Sequence, residues 1–289
     1  MAKMLTNIAK SVKDRLLAIA RREGRTFDIL LVRFVLERLL YRLSISAHAD
    51  RFVLKGGMLV MLWVADDNRV TRDADFLGYG VSDPDRLIAD FREIMKLESD
   101  DGLVFDIDAL AASAIREEME YGGIRLQTVA YLERTRIPIT IDIGFGDALV
   151  GAAQWLDYPT LLDLPAPHVR GYPPATVIAE KFQAMVALGM LNGRMKDYYD
   201  LWAIPRAIAI AGRDLDAAIQ ATFERRQTLI SNERPPGLSP AMVGDEGKQR
   251  QWRAYAASID LADLSLEEVV EAVWALVGPS CARLNARSN

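Results

Sequence analysis

The sequence predicts an α+β fold, with strands and helices mixed in the first half and helices alone in the second. Short apolar or alternating runs at 52–54, 73–78, 124–132 and 137–143 read as strands, and helix-period apolar stripes lie around them. Past a proline-rich passage from Pro159 to Pro174 only helical patterns recur. The chain has 289 residues, 51% hydrophobic and 26% charged, enough for a packed core in one large domain or two modest ones.

The elements follow in order. Leu5, Ile8, Val12, Leu16, Ile19 and Ala20 recur at helical spacing and predict a helix over 5–22. A second spans 26–45, with Thr26 placed to cap it and a wide stripe of Leu30, Phe34, Leu36, Leu39, Leu40 and Leu43. The run Phe52-Val53-Leu54 is broken by Lys55-Gly56-Gly57, after which Met58 to Val64 resumes a helical pattern. Asp73 to Gly78 reads as a strand and 85–97 as a helix. Val104 to Ile107 is a further strand, and 124–132 and 137–143 can pair as antiparallel neighbours through a turn at Glu133–Arg136. Helices are expected at 175–191, 197–210, 214–228, 247–258 and 265–277, with a loop at 232–247.

Composition excludes several classes. A single cysteine, Cys281, rules out an intrachain disulfide framework and makes no cysteine metal site. The two histidines, His48 in a polar turn and His168 in the proline-rich passage, suggest no nucleophile–base pair. A net charge of −5 is not that of a general nucleic-acid coat, although Arg21, Arg22, Arg25, Arg33, Arg38 and Arg42 on the first two helices form either a basic groove or a solvated helix face. No apolar stretch spans a membrane and the start carries no apolar signal core, so a cytoplasmic location is expected.

The residues with chemical potential begin with Asp73 and Asp75. Two apart on a strand, they point to one face, about 6.5–7 Å apart along it, where two carboxylates can share divalent cations. Asp-x-Asp alone is a weak signal, since Asp106 and Asp108 repeat it. The Gly56-Gly57 turn upstream strengthens it, because glycines at a strand-to-helix turn let backbone amides approach a phosphate. Asp142, the acid of an otherwise apolar strand, is either a solvent-facing position or a third site carboxylate able to assist deprotonation of an acceptor hydroxyl. Lys181 shares a helix face with Val177, Ile178, Ala184 and Met185, which fits an inward cation for a triphosphate or a lysine lying along the surface. Arg194, Lys196, Asp197 and Asp200 cluster at a helix start, and Asp197 fits a capping role there.

Taken in order, Lys55-Gly56-Gly57, then Arg69-x-Thr71-x-Asp73-x-Asp75-Phe76, then Ile178-Ala179-Glu180-Lys181, then Arg194-x-Lys196-Asp197-x-x-Asp200-Leu201, resembles the AbiEii/AbiGii-type nucleotidyltransferase toxins. These are similar to the MenT toxins and sit within the wider DNA polymerase β-like nucleotidyltransferase superfamily. The blocks run from about residue 50 to residue 205; the last 80 or so residues carry no motif that matches. The residue between the two acids, often β-branched in the family, is Ala74 here.

The resemblance implies a mixed sheet flanked by helices in a nucleotidyltransferase domain over 1–165, then a helical domain over 166–289 that completes the active-site cleft. It implies an Mg²⁺-dependent enzyme that transfers a nucleoside monophosphate from an NTP to RNA, at the tRNA 3′ end, and releases pyrophosphate. It further implies a cognate antitoxin, often of winged-helix type. Carried onto this chain, Asp73, Asp75 and Asp142 would bind Mg²⁺, and Lys55, Gly56, Gly57 and Lys181 would bind the NTP phosphates. Arg69 and Thr71 would orient the aspartate strand or touch nucleotide, and Asp200 would complete the catalytic set. Two alternatives stand beside this reading: a transferase of the same fold acting on a protein side chain or small molecule, and a module that binds NTP or antitoxin without turnover.

Overall fold

A computed structural model describes residues 2–66, 68–115 and 122–288, with side chains within 8–287; the Leu5 side chain thus lies outside the described residues. The chain separates into two compact units. One comprises Met1–Leu62, Val70–Gly146 and Ala153–Gly171, and the other Trp63–Arg69, Asp147–Ala152 and Tyr172–Asn289.

The first unit holds helices α1 (Ala2–Glu23) and α2 (Phe27–Ser44), strand β1 (Phe52–Lys55), most of α3 (Gly57–Val64), β2 (Asp73–Gly78) and α4 (Pro84–Lys96). It continues through β3 (Leu103–Phe105), β4 (Ala111–Ile115), β5 (Gly123–Leu132), β6 (Thr135–Phe145), β7 (Gln154–Asp157) and β8 (His168–Gly171). Among the described residues these strands form one open mixed sheet in the order β3-β5-β6-β2-β1-β8-β7, with β4 on β5. The expected hairpin is present: β5 and β6 pair antiparallel from Leu132↔Thr135 back to Ile124↔Ile143, and Glu133 takes the positive φ of the turn. β2 lies parallel to β6 and antiparallel to β1.

β6 explains the division of labour across the sheet. Ile137, Ile139, Ile141 and Ile143 are all buried, while the alternate positions Thr140, Asp142 and Gly144 are half-buried. β2 follows the same rule, with Ala74 and Phe76 fully buried between and beside its two aspartates. Phe76 meets Phe52 and Phe91 in an aromatic cluster, with ring centroids 5.1–6.4 Å apart. α2 packs on β6 and β8, α1 on β5, and α4 on α2 and β4.

Three sequence expectations need correction here. Thr26 occupies the cap position of α2, but its side chain makes no capping bond; its carbonyl accepts from Ile29 and Leu30 instead. Arg38 and Arg42 form neither a basic groove nor a solvated face. Both are buried against Asp101: Arg42 grips it with two bonds of 2.5 and 3.0 Å, and Arg38 adds one of 3.3 Å. The proline-rich passage is also more than a linker. His168 lies on β8, whose Gly171 pairs parallel with Leu54, and its ring stacks on Trp155 of β7.

Glu37 adds a pH-sensitive element to this packing. Its carboxylate is fully buried and accepts from the Leu161 amide at 2.8 Å, and its second oxygen has no hydrogen-bond donor. Burial pushes its carboxyl from the ordinary 4.5 up to about 7, against the lowering pull of that amide and of Arg38. A raised carboxyl stabilises fully below its unfolded value. That contribution fades as pH rises from 4.5 to about 7. Glu37→Gln is therefore expected to narrow the gap in unfolding free energy between pH 5 and pH 8 by about 1–3 kcal/mol, as read from urea melts at both pH values.

The second unit is helical. It contains α5 (Pro174–Leu188), α6 (Met195–Ala207), α7 (Gly212–Arg225), a short α8 (Pro240–Gly244), α9 (Glu246–Ser258) and α10 (Leu266–Ser288). α8 lies inside the stretch expected to be a loop, and its cap Ser239 accepts from the Met242 amide. α10 runs 11 residues beyond the expected end at residue 277, through Pro279. α5 packs on α6 and α7, and α10 on α6 and α7.

Candidate active site

The register of the sheet assembles the first group of site residues. Lys55 pairs with Asp75, Asp75 with Asp142, and Asp142 with Arg125, so one row across β1, β2, β6 and β5 reads Lys–Asp–Asp–Arg on one face. The next row places Asp73 beside Thr140 and Gln127. Oxygens of Asp73, Asp75 and Asp142 all lie within 4.8 Å of one another, and all three side chains are half-buried. The competing pair is not part of this group. Asp106 sits in the turn after β3, where it accepts from the Ala109 amide, and Asp108 is exposed.

Three neighbours hold the triad in place. Thr71 donates its hydroxyl to Asp73 Oδ1 at 2.7 Å. Gly56 carries a φ of +65° and closes the turn between β1 and α3. A Cβ at Gly56 would fall 2.2 Å from Asp75 Oδ2, so the position admits no side chain while Asp75 keeps its place. Gly56→Ala is expected to displace the Asp75 carboxylate: nucleotidyl transfer should drop by about 100-fold or more, against an unfolding penalty of only about 1–2 kcal/mol from the left-handed backbone. Parallel rate and melting measurements on the variant check this.

The third neighbour is Arg125, which motif reading missed. Its Nε and Nη2 donate to the two oxygens of Asp142 at 2.7 and 2.6 Å, a bidentate fork. The bonds to Asp142 raise the guanidinium's proton affinity most, and Asp73 and Asp75 add to it. The signal was available in the hairpin: once Leu132 faces Thr135, stepping equally along both strands brings Arg125 opposite Asp142.

The second group belongs to the helical unit. Lys181, on α5, faces inward and is only 13% exposed. Its ammonium pairs with Asp197, and with Asp200 Oδ2 at 2.8 Å. Asp200, fully buried on α6, also accepts two bonds from Arg69, at 2.8 and 2.5 Å. Burial alone would raise the Asp200 carboxyl; Lys181 and Arg69 outweigh it and hold the group at about 2. For Lys181, burial lowers the pKa, but Asp197 and Asp200 overcome it, so the ammonium stays charged.

One expectation changes in consequence. Asp197 is not the helix cap, since α6 starts after Arg194 and the Asp197 carboxylate is spent on Lys181. Arg69 is 1% exposed, with its fork on Asp200.

The triad suits a hard divalent cation: all donors are carboxylate oxygens at mutual distances a single ion can span, with no sulfur or imidazole among them. The mixed sheet, the glycine turn ahead of an Asp-x-Asp strand and this carboxylate set define a nucleotidyltransferase. The family model for the AbiEii toxin, a nucleotidyl transferase of type IV toxin–antitoxin systems, matches residues 38–276, and the chain belongs to that family. Membership brings with it an NTP substrate and an antitoxin partner.

Two solved structures are similar over most of the chain. One is a Helicobacter pylori protein provisionally assigned as a nucleotidyltransferase, with 10% identity and a TM-score of 0.49, covering 90% of this chain and 98% of its own. The other is JHP933 from Helicobacter pylori, with 12% identity and a TM-score of 0.47, covering 88% and 92%. No curated protein matches. Among the described residues, no helix is long and apolar enough to cross a membrane.

Proposed function

We propose that the protein is the Mg²⁺-dependent toxin of a toxin–antitoxin pair, transferring a nucleoside monophosphate from an NTP to RNA at a tRNA 3′ end, and restrained by a cognate antitoxin of winged-helix type. The observation that carries this is the convergence of Asp73, Asp75 and Asp142 beside the Gly56 turn, in a chain of the AbiEii family.

In this reading Asp73, Asp75 and Asp142 hold Mg²⁺, which when bound neutralises the triphosphate and polarises the reacting phosphate. Lys55 and the amides of the Gly56-Gly57 turn receive phosphate oxygens at the start of α3, where the helix end favours negative charge. Thr71 keeps the Asp73 carboxylate in the orientation the site needs. Lys181 supplies a cation to the triphosphate, and Asp200 and Arg69 act behind it as positioning residues. The acceptor hydroxyl gives its proton to a carboxylate of the triad as its oxygen attacks the α-phosphorus, and pyrophosphate leaves. We assign that proton to Asp142, which comes from β6 and not from the β2 strand that carries the other two acids.

The acceptor is tested by incubating the protein with each α-labelled NTP, Mg²⁺ and either total tRNA or total protein. Label is expected in tRNA and lost on removal of the 3′-terminal nucleotides. Label in protein alone would overturn the RNA assignment. Growth arrest on expression, relieved by Asp73→Ala, is the expected result for the toxin role.

A further inference from the structure

We propose that Arg125 is a built-in counter-ion of the carboxylate triad, competing with the divalent cation for Asp142 and so setting the cation concentration at which the site loads. The inference rests on the metal reading given above and extends it to the control of that site.

The geometry carries it. Arg125 engages both oxygens of Asp142, with a donor on each, and leaves that carboxylate less able to give an oxygen to a cation. Mg²⁺ demands ligand oxygens at about 2.0–2.1 Å in near-octahedral order, so a carboxylate gripped on both oxygens is a poor ligand until the grip loosens. The row register makes the contest local. Asp142 stands between Asp75 and Arg125, so the same carboxylate is the shared neighbour of the triad and of the guanidinium. The positive charge of Arg125 beside the carboxylates also offsets part of the field that draws a cation in.

Exposure separates this pair from the two sealed forks of the fold, while Arg283 on Asp216 and Arg234 on Glu271 are open forks away from the carboxylate triad. The Arg69 and Asp200 side chains are 1% and 0% exposed, and Arg42 and Asp101 are 3% and 0% exposed. Those pairs are sealed, and opening them would strand charge away from water. Arg125 is 42% exposed, so it can turn from Asp142 into solvent without stranding its charge.

The test uses the full chain and Mn²⁺ alone as probe, titrated by calorimetry into wild type, Arg125→Gln, Arg125→Lys and Asp73→Ala. Arg125→Gln is expected to bind Mn²⁺ about 3- to 10-fold more tightly, because a competing charge is gone from the site. Arg125→Lys should fall between the two, since it keeps the charge and loses the fork. Equal or weaker binding by Arg125→Gln, with a wild-type melting curve, would overturn the proposal; if that variant does not fold, the same reading of Arg125→Lys decides. Wild-type Mn²⁺ affinity in Asp73→Ala would overturn the metal reading itself, a result separable from the first because the two variants touch different residues.

Discussion

Asp73→Ala should lower nucleotidyl transfer by at least ~100-fold, the scale expected when a metal ligand is lost, while leaving the fold intact. The two halves of that expectation have separate physical causes. Asp73 is one of three carboxylates whose oxygens lie within 4.8 Å, an arrangement that is repulsive in itself. Removing one acid relieves repulsion, and against this Thr71, which is buried, loses the acceptor for its hydroxyl. The opposing effects are each about 1 kcal/mol, so the melting temperature should move by only a few degrees. A rate loss accompanied by a collapse in melting temperature would place Asp73 in the scaffold and not in the chemistry.

Asp200→Ala should have the opposite profile, with stability lost first. It removes the carboxylate that neutralises Arg69 and one of the two that face Lys181, leaving cations in a sealed environment. Breaking a buried pair from one side costs about 3–5 kcal/mol, or ~10 °C in melting temperature for a chain of this class. The pH dependence gives a finer check. The Asp200 carboxyl is held at about 2 against an ordinary 3.8, so its contribution is complete above 3.8 and is lost as pH falls through about 2. Asp200→Asn, which keeps the shape without the charge, should therefore be less stable than wild type at pH 7, with the gap closing between pH 4 and pH 2. A gap that is constant over that range would show that the charge of Asp200 does not carry the network.

These profiles bear on what was readable beforehand. β2 was legible to the residue because its acids alternate with apolar Ala74 and Phe76 and a glycine ends it, and the β5–β6 hairpin was legible because β6 alternates cleanly. β4 was not: its Ala-Ala-Ser-Ala-Ile sequence has little β preference, and only the partner β5 makes it a strand. β7 and β8 have four residues each, too few for a period to declare itself. For the site, residue types and spacing pointed to Asp73, Asp75 and Lys181, because each belongs to a local pattern. The grip of Arg69 on Asp200 spans 131 positions and that of Arg42 on Asp101 spans 59. Helical spacing can say that Arg42 lies on a face, but not that a carboxylate waits there in the fold. Arg125 falls between these cases: the hairpin register locates it, and only the side-chain geometry reveals its fork on Asp142.

The central claim is that this carboxylate triad performs nucleotidyl transfer and not another phosphate chemistry. The direct measurement is a paired assay with α-labelled and γ-labelled NTP in the presence of Mg²⁺, with EDTA as control. The account predicts that α-label alone reaches the acceptor, that γ-label appears only in pyrophosphate, and that EDTA or Asp73→Ala removes both signals. Transfer of γ-label to the acceptor, or α-label transfer that survives EDTA and Asp73→Ala, would contradict it.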